Sequence, residues 1–154
     1  MPEAAVFRRT VVLAGLASAV GAAVARDTPM AEATNLRIAA ATSDRPLVLL
    51  VSLKGCPFCE FVRRSYLLPL MREGLISALQ LSIDRAEPIV DFAGKSLRVR
   101  DFVAAALAAM KQPSTVQTPT VLFFNSAGEQ TAEPLVGVVS SEFYGAMLNS
   151  RLKI

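Results

Sequence analysis

The chain has 154 residues, of which 53% are hydrophobic and 19% are charged, a length and composition typical of one globular domain. Its net charge of +3 is spread along the chain without a dense Lys/Arg cluster, so the sequence does not indicate a nucleic-acid-binding surface. Histidine is absent and there are two cysteines. This excludes a Ser-His or Cys-His catalytic pair, and it excludes a four-ligand structural zinc site built from this chain alone.

Residues 1–25 have the pattern of an export signal. The basic pair Arg8 and Arg9 precedes an apolar run that ends in an A-x-A-type cleavage site at 23–25. The pair is compatible with the twin-arginine route as well as with the general secretory route. A retained membrane anchor is the alternative, but a span needs ~20 predominantly apolar residues and this run is shorter. We therefore expect cleavage and a mature domain at 26–154, in a compartment where disulfides persist.

The first elements of the mature chain are predicted to be a helix, a strand, a helix and a strand. Residues 30–41 suit a short helix, and the nearly continuous apolar run at 47–53 is typical of a central strand covered on both faces. An amphipathic helix pattern follows at 58–66 and is ended or kinked by Pro69. Alternation of apolar and polar residues at 77–84 predicts a second strand.

The second half continues with a polar connection at 85–95 and a helix at 96–110, for which Ser96 is the expected cap. A third core strand is predicted at 119–124, followed by an Asn-Ser-Ala-Gly hairpin turn and a fourth strand at 135–139. A last helix opens at Ser141-Glu142. The residues expected to face inward from that helix are Phe143, Met147 and Leu148.

This order of elements predicts the fold class. Strands that are joined through helices pair in parallel, whereas a short turn joins an antiparallel pair. The sequence therefore predicts an α/β protein with a central mixed four-stranded sheet and helices on both faces.

The two cysteines lie in Gly55-Cys56-Pro57-Phe58-Cys59, where the central strand gives way to a helix. Unpaired N–H groups and the positive end of the helix dipole favour a thiolate there, so we expect the pKa of Cys56 to fall below the free value of about 8.5. Cys59 follows almost one turn later, within reach of the Cys56 sulfur and less exposed. An inert structural disulfide is the alternative, but so small a loop stabilises little. The pattern thus indicates a redox pair, with Cys56 as nucleophile and Cys59 as resolving thiol.

With the run Thr118-Pro119-Thr120-Val121-Leu122-Phe123-Phe124, Gly128 and Gly137, these residues resemble the thioredoxin superfamily over most of 45–152. The stretch from Val90 to Lys95 is similar to one in SoxW-like periplasmic thioredoxins. The resemblance implies a thioredoxin-like three-layer fold, a cis Pro119 facing the cysteines, and a Thr118 backbone that pairs with an extended substrate segment. Thr118, Pro119 and Phe58 are therefore the predicted substrate-binding residues.

Two positions depart from that family pattern. Thioredoxins usually have a tryptophan just before the motif, whereas Lys54-Gly55 stand there in this chain. They also have a buried aspartate six residues before the first cysteine, and this chain has Leu50. Water or Glu60 must then handle the proton of the resolving thiol, or resolution is slower.

The predicted function is that of a periplasmic protein thiol–disulfide oxidoreductase that needs no metal and no cofactor besides its own redox-active disulfide. Its expected partners are a protein disulfide or dithiol substrate and, for a reductant, a membrane-embedded electron donor; the chain is expected to be monomeric. The resemblance favours a reductase over an oxidase. The alternatives are a non-catalytic binding or chaperone module and a Cu(I)-handling dithiol protein.

Overall fold

The structure is a computed structural model that describes residues 29–154. The predicted export signal and the first residues of the predicted mature domain lie outside the described residues. Within the described part, no helix has the length and apolar character needed to cross a membrane. The elements in chain order are α1 (Leu36–Ala41), β1 (Leu47–Ser52), α2 (Pro57–Val62), a π-helical turn (Arg63–Leu67), α3 (Leu68–Arg72), β2 (Ser77–Ser82), β3 (Ile89–Val90), β4 (Ser96–Leu97), α4 (Val99–Ala109), β5 (Thr120–Phe124), β6 (Gln130–Val136) and α5 (Ser141–Leu152).

A four-stranded mixed sheet in the order β2-β1-β5-β6 forms the centre of the domain. β1 pairs in parallel with β2, and β5 pairs antiparallel with both β1 and β6. The predicted mixed sheet is therefore confirmed. The expectation that strands joined through helices pair in parallel holds for β1 and β2 but not for β1 and β5. The connection after α4 brings Thr120 opposite Val51, at the C-terminal end of β1, so β5 runs back along β1.

The strand β1 is buried along its whole length, as its apolar run predicts. Because successive side chains of a strand point to opposite faces, its residues divide between two cores. Leu47, Leu49 and Val51 pack with α1 and α4, and Val48 and Leu50 pack with α2 and α5. Burying each such side chain contributes ~1.5–3 kcal/mol, so the strand that leads to the cysteines is firmly fixed.

The first helix is shorter than predicted, because the residues before it pair with the sheet instead. Gln80 of β2 donates its N–H to the Ala31 carbonyl and accepts from the Ala33 N–H, each at 2.8 Å. The helix begins after Asn35, whose Oδ1 accepts from the N–H of Ile38 at 3.0 Å. This cap sets the true start of α1.

The connection predicted to be an irregular loop contains a small hairpin. Ile89 pairs with Leu97 and Val90 with Ser96, so Ser96 lies in β4 and does not cap a helix. The carboxylate of Asp91 accepts from the N–H of Lys95 at 2.8 Å and closes the turn. Strands of two residues are too short to produce a detectable alternation.

Two further element boundaries and the burial of side chains in α5 differ from the prediction. The helix that follows the cysteines does not end at Pro69. It continues through a π-helical turn into α3, which holds Pro69 near its start and ends at Arg72. β6 begins at Gln130 and stops at Val136.

In α5, Leu148 is buried as expected, but Tyr144 is the other buried residue. Phe143 and Met147 are 64% and 38% exposed, so their predicted inward orientation is wrong.

Candidate active site at the start of α2

Cys56 and Cys59 form a disulfide across one turn at the start of α2, with their Cα atoms 5.3 Å apart. Cys56 has an extended backbone and is the N-cap of the helix, and its Sγ accepts from the N–H of Cys59 at 3.2 Å. Pro57 occupies the first helical position, where a missing N–H costs nothing. Cys56 is partly exposed, whereas Cys59 is 1% exposed. An incoming sulfur can therefore reach Cys56 but not Cys59.

A tight turn between β1 and α2 brings Cys56 to this position. The N–H of Cys56 donates to the Leu53 carbonyl at 3.2 Å. Gly55 within the turn has a φ of +73°, and a Cβ there would meet nothing within 4 Å. The glycine is needed for its backbone conformation and not for space.

Thr118 and Pro119 lie at the same end of the sheet as the disulfide. The antiparallel register pairs Thr120 with Val51, so the residues just before Thr120 lie beside the end of β1 that leads to Cys56. The Thr118–Pro119 peptide bond is cis. Pro119 is buried and its carbonyl accepts from the N–H of Gly137 at 2.8 Å, while Thr118 is partly exposed.

An apolar groove of about 360 Å³ runs beside the first turn of α2. One wall consists of Pro57, Phe58 and Phe61. The other, the loop 138–141, leads from β6 into α5 and includes the first residue of that helix, Ser141. Phe58 is 60% exposed and Val139, on the facing wall, is 91% exposed. Both walls thus present apolar surface next to Cys56.

The sequence prediction missed the second wall, because it placed Val138 and Val139 in a strand. The strand ends at Val136, and Gly137, with a φ of +69°, turns the chain out of the sheet. Gly137 is the sequence feature that could have revealed the end of the strand, because a glycine inside a strand pattern often marks a break.

A larger polar cleft of about 800 Å³ opens on the other side of Cys56. Most of its charges are already paired with one another. The Glu60 carboxylate forms ion pairs with both Arg63 and Arg64. Nη1 of Arg85 lies 3.7 Å from Oε2 of Glu32. Leu50, at the position of the family's aspartate, is fully buried. Glu60 shares the cleft with Cys56, as do the carboxylates of Glu32, Asp84 and Glu87.

The order of the sheet and the position of the disulfide define the class of fold: it is thioredoxin-like. No protein-family model matches the sequence, and no curated protein sequence matches it. Solved structures do match. Oxidised mitochondrial thioredoxin 3 of Saccharomyces cerevisiae is 13% identical, with 80% of this chain and 93% of that chain covered and a TM-score of 0.50.

A structure described as showing the thiol-resolving mechanism of a yeast mitochondrial 1-Cys peroxiredoxin via glutathione/thioredoxin systems matches at 12% identity. The match covers 82% of this chain and 96% of that chain, with a TM-score of 0.51. At these identities the similarity establishes the fold alone. Function has to be argued from the site.

Proposed function

We propose that the protein is a thiol–disulfide oxidoreductase that acts on protein substrates through Cys56 and Cys59. The observation that carries the proposal is the pair's unequal exposure: one sulfur is accessible at a helix N-terminus and the other is buried within bonding distance. In the reduced protein, the N–H groups and dipole of the helix N-terminus favour the thiolate of Cys56. A thiolate in this position is a competent nucleophile toward a disulfide.

The reductive reaction needs only these two sulfurs. The Cys56 thiolate attacks one sulfur of the substrate disulfide; that S–S bond breaks, and the departing substrate thiolate takes a proton. Cys59 loses its proton and attacks the Cys56 sulfur of the mixed disulfide, which releases the second substrate thiolate. Two electrons pass from the pair to the substrate, and the Cys56–Cys59 bond forms. Glu60 or water receives the Cys59 proton.

Thr118, Pro119 and Phe58 bind the substrate in this proposal. The partly exposed Thr118 precedes a buried proline, so its main chain is the available pairing partner for an extended segment. Phe58 offers an exposed ring between the two cysteines. A substrate segment held by these residues would bring its disulfide to Cys56.

The proposed direction is reductive and the proposed location is the periplasm, with a membrane-embedded donor that returns electrons to the pair. The support is the predicted export signal at 1–25 for the location and the resemblance of the Val90 to Lys95 stretch to SoxW-like proteins for the direction. The reduction potential of the Cys56–Cys59 pair decides the direction. A potential close to that of thioredoxin, about −270 mV, supports a reductase, whereas one near −120 mV indicates an oxidant.

The roles of the two cysteines are tested by reduction of insulin with dithiothreitol as electron source, comparing the wild type with Cys56→Ser and Cys59→Ser. We expect Cys56→Ser to lose exchange, and Cys59→Ser to accumulate mixed disulfides that non-reducing electrophoresis detects. Because each variant removes one sulfur and keeps a similar side chain, they are matched controls for each other. Full turnover by either variant would contradict the roles. A wild type without turnover would favour the binding-module alternative.

A further inference from the structure

The two walls of the apolar groove come from distant parts of the chain, and a side chain that takes no part in the sulfur chemistry joins them. The hydroxyl of Tyr66 donates to the carbonyl of Ser141 at 2.9 Å, across 75 positions in sequence. Tyr66 lies in the π-helical turn that directly continues α2. Ser141 belongs to the opposite wall. The bond therefore connects the helix that carries the cysteines to the loop 138–141.

The Tyr66 ring is enclosed by neighbours on both sides. It contacts Phe61 edge-on, with centroids 5.5 Å apart, and Tyr144 of α5 at 5.1 Å. Gly145 faces it in the middle of α5, where a Cβ would lie 3.1 Å from Cε1 of the ring. Glycine in a helix interior is unfavourable by about 1 kcal/mol relative to alanine. A glycine at this position gives the ring its space, so the hydroxyl is directed at Ser141 by packing.

The local helix geometry also determines where Tyr66 points. A π-helical turn holds an extra residue, which rotates all later side chains around the helix axis relative to a regular α-helix. The turn begins at Arg63, four residues after Cys59. Turns of this kind are frequent at functional sites, and here the turn itself contains Tyr66, the residue that bonds the groove wall.

We propose that Tyr66 is a positioning residue that fixes the loop 138–141 against α2 and thereby sets the affinity of the apolar groove for an extended apolar segment of a protein substrate. This inference rests on the proposed function, since it assigns substrate binding at the same site. The hydrogen bond and ring contacts of Tyr66 described above are with Ser141, Phe61 and Tyr144. The Tyr66 hydroxyl acts on binding of the protein substrate and not on the exchange step.

The chain supplies a matched control for removal of the Tyr66 hydroxyl. Tyr144 packs against the same ring in a tilted arrangement, but its own hydroxyl is buried without a hydrogen-bond partner among the described residues. Tyr66→Phe and Tyr144→Phe delete the same atom from adjacent rings. Only the first deletion breaks the bond between the walls.

The test compares both variants with the wild type on two substrates. Insulin, with dithiothreitol as electron source, is expected to need the groove. The small disulfide 5,5′-dithiobis(2-nitrobenzoic acid), mixed with the pre-reduced proteins for a single turnover, is expected to reach Cys56 without it. For Tyr66→Phe we expect KM for insulin to rise about threefold to tenfold, the range for one lost neutral hydrogen bond, with kcat unchanged. The rate with the small disulfide and the reduction potential should match those of the wild type. Tyr144→Phe should leave the KM for insulin and the rate with the small disulfide unchanged.

An unchanged KM for insulin in Tyr66→Phe would overturn the inference. An equal loss of reduction rate with both substrates would overturn it too. Hydrogen–deuterium exchange of the amides of 138–141 gives a second readout that does not depend on activity. Exchange there should be faster in Tyr66→Phe than in the wild type and in Tyr144→Phe. Equal exchange in all three proteins would refute the positioning role even if the wild type is active. A wild type that is inactive on both substrates would instead refute the proposed function.

Discussion

Replacement of Gly128 by alanine is a sharp test of the packing around the β5–β6 turn. Gly128 has a φ of +80°, and a Cβ built there would lie 2.5 Å from Cγ of Phe92 and 2.7 Å from its Cβ and Cδ1. The Phe92 ring has little freedom to move away, because it packs on Phe124 with centroids 4.6 Å apart and on Phe102 at 6.0 Å. The new methyl group therefore meets a fixed neighbour.

The expected loss of stability has two parts. A left-handed backbone costs an alanine roughly 1–2 kcal/mol, and forcing a methyl group into a packed site costs typically about 1–3 kcal/mol more. We therefore expect Gly128→Ala to lower the free energy of unfolding by about 2–5 kcal/mol. Gly137→Ala is the matched control: its φ is +69°, but nothing lies within 4 Å of the added Cβ. Gly137→Ala should lower the free energy of unfolding by about 1–2 kcal/mol, from the backbone conformation alone.

The measurement is urea unfolding of the oxidised proteins, followed by far-UV circular dichroism. The informative quantity is the difference between the two variants, because the backbone contribution cancels. Gly128→Ala should be less stable than Gly137→Ala by about 1–3 kcal/mol. Equal stabilities would refute the argument that Phe92 is held in place by the aromatic residues around it.

Three further perturbations have expected outcomes. Asn35→Ala should lower the free energy of unfolding by about 1 kcal/mol, because the N–H of Ile38 loses its acceptor; Asn35→Asp, which keeps a cap, should not. The pKa of Asp101 is lowered from 3.8 by its hydrogen bond with Arg98. The contribution of this interaction to folding stability is therefore present above pH 3.8 and disappears as the pH falls through the lowered pKa. The stability difference between the wild type and Asp101→Asn should therefore shrink in acid unfolding curves below that pH, and a constant difference would contradict this. Tyr144→Phe should not lower the melting temperature, since the deleted hydroxyl is buried without a partner within residues 29–154; a clear decrease would mean that the hydroxyl has a partner after all.

The sequence predicted the features that depend on local pattern. The run at 47–53 identified the central strand because burial on both faces removes polar residues from it. The motif from Cys56 to Cys59 was placed correctly at the strand-to-helix junction because Pro57 and the following amphipathic pattern both mark a helix start.

Features that depend on distant contacts were not predictable in the same way. The apolar residues near Met30 are buried because their backbone pairs with β2, a contact that a helical spacing cannot reveal. Phe143 and Met147 were assigned to the core from their hydrophobicity, but α5 presents Tyr144 and Leu148 to the sheet. At the site, the bond from Tyr66 to Ser141 depends on the π-helical turn, for which the sequence has no recognised signal.

The pairing of the segment before α1 with β2 also affects how other chains can approach the sheet. The main chain of Gln80 at the outer side of β2 is already bonded to Ala31 and Ala33, and on the outermost strand β6, Pro134 has no N–H to donate. Exposed strand borders are templates for association with foreign β-strands. In the proposed function, a protein substrate that arrives as an extended segment thus meets strand borders that are partly blocked, which favours binding beside Thr118 over pairing along the sides of the domain.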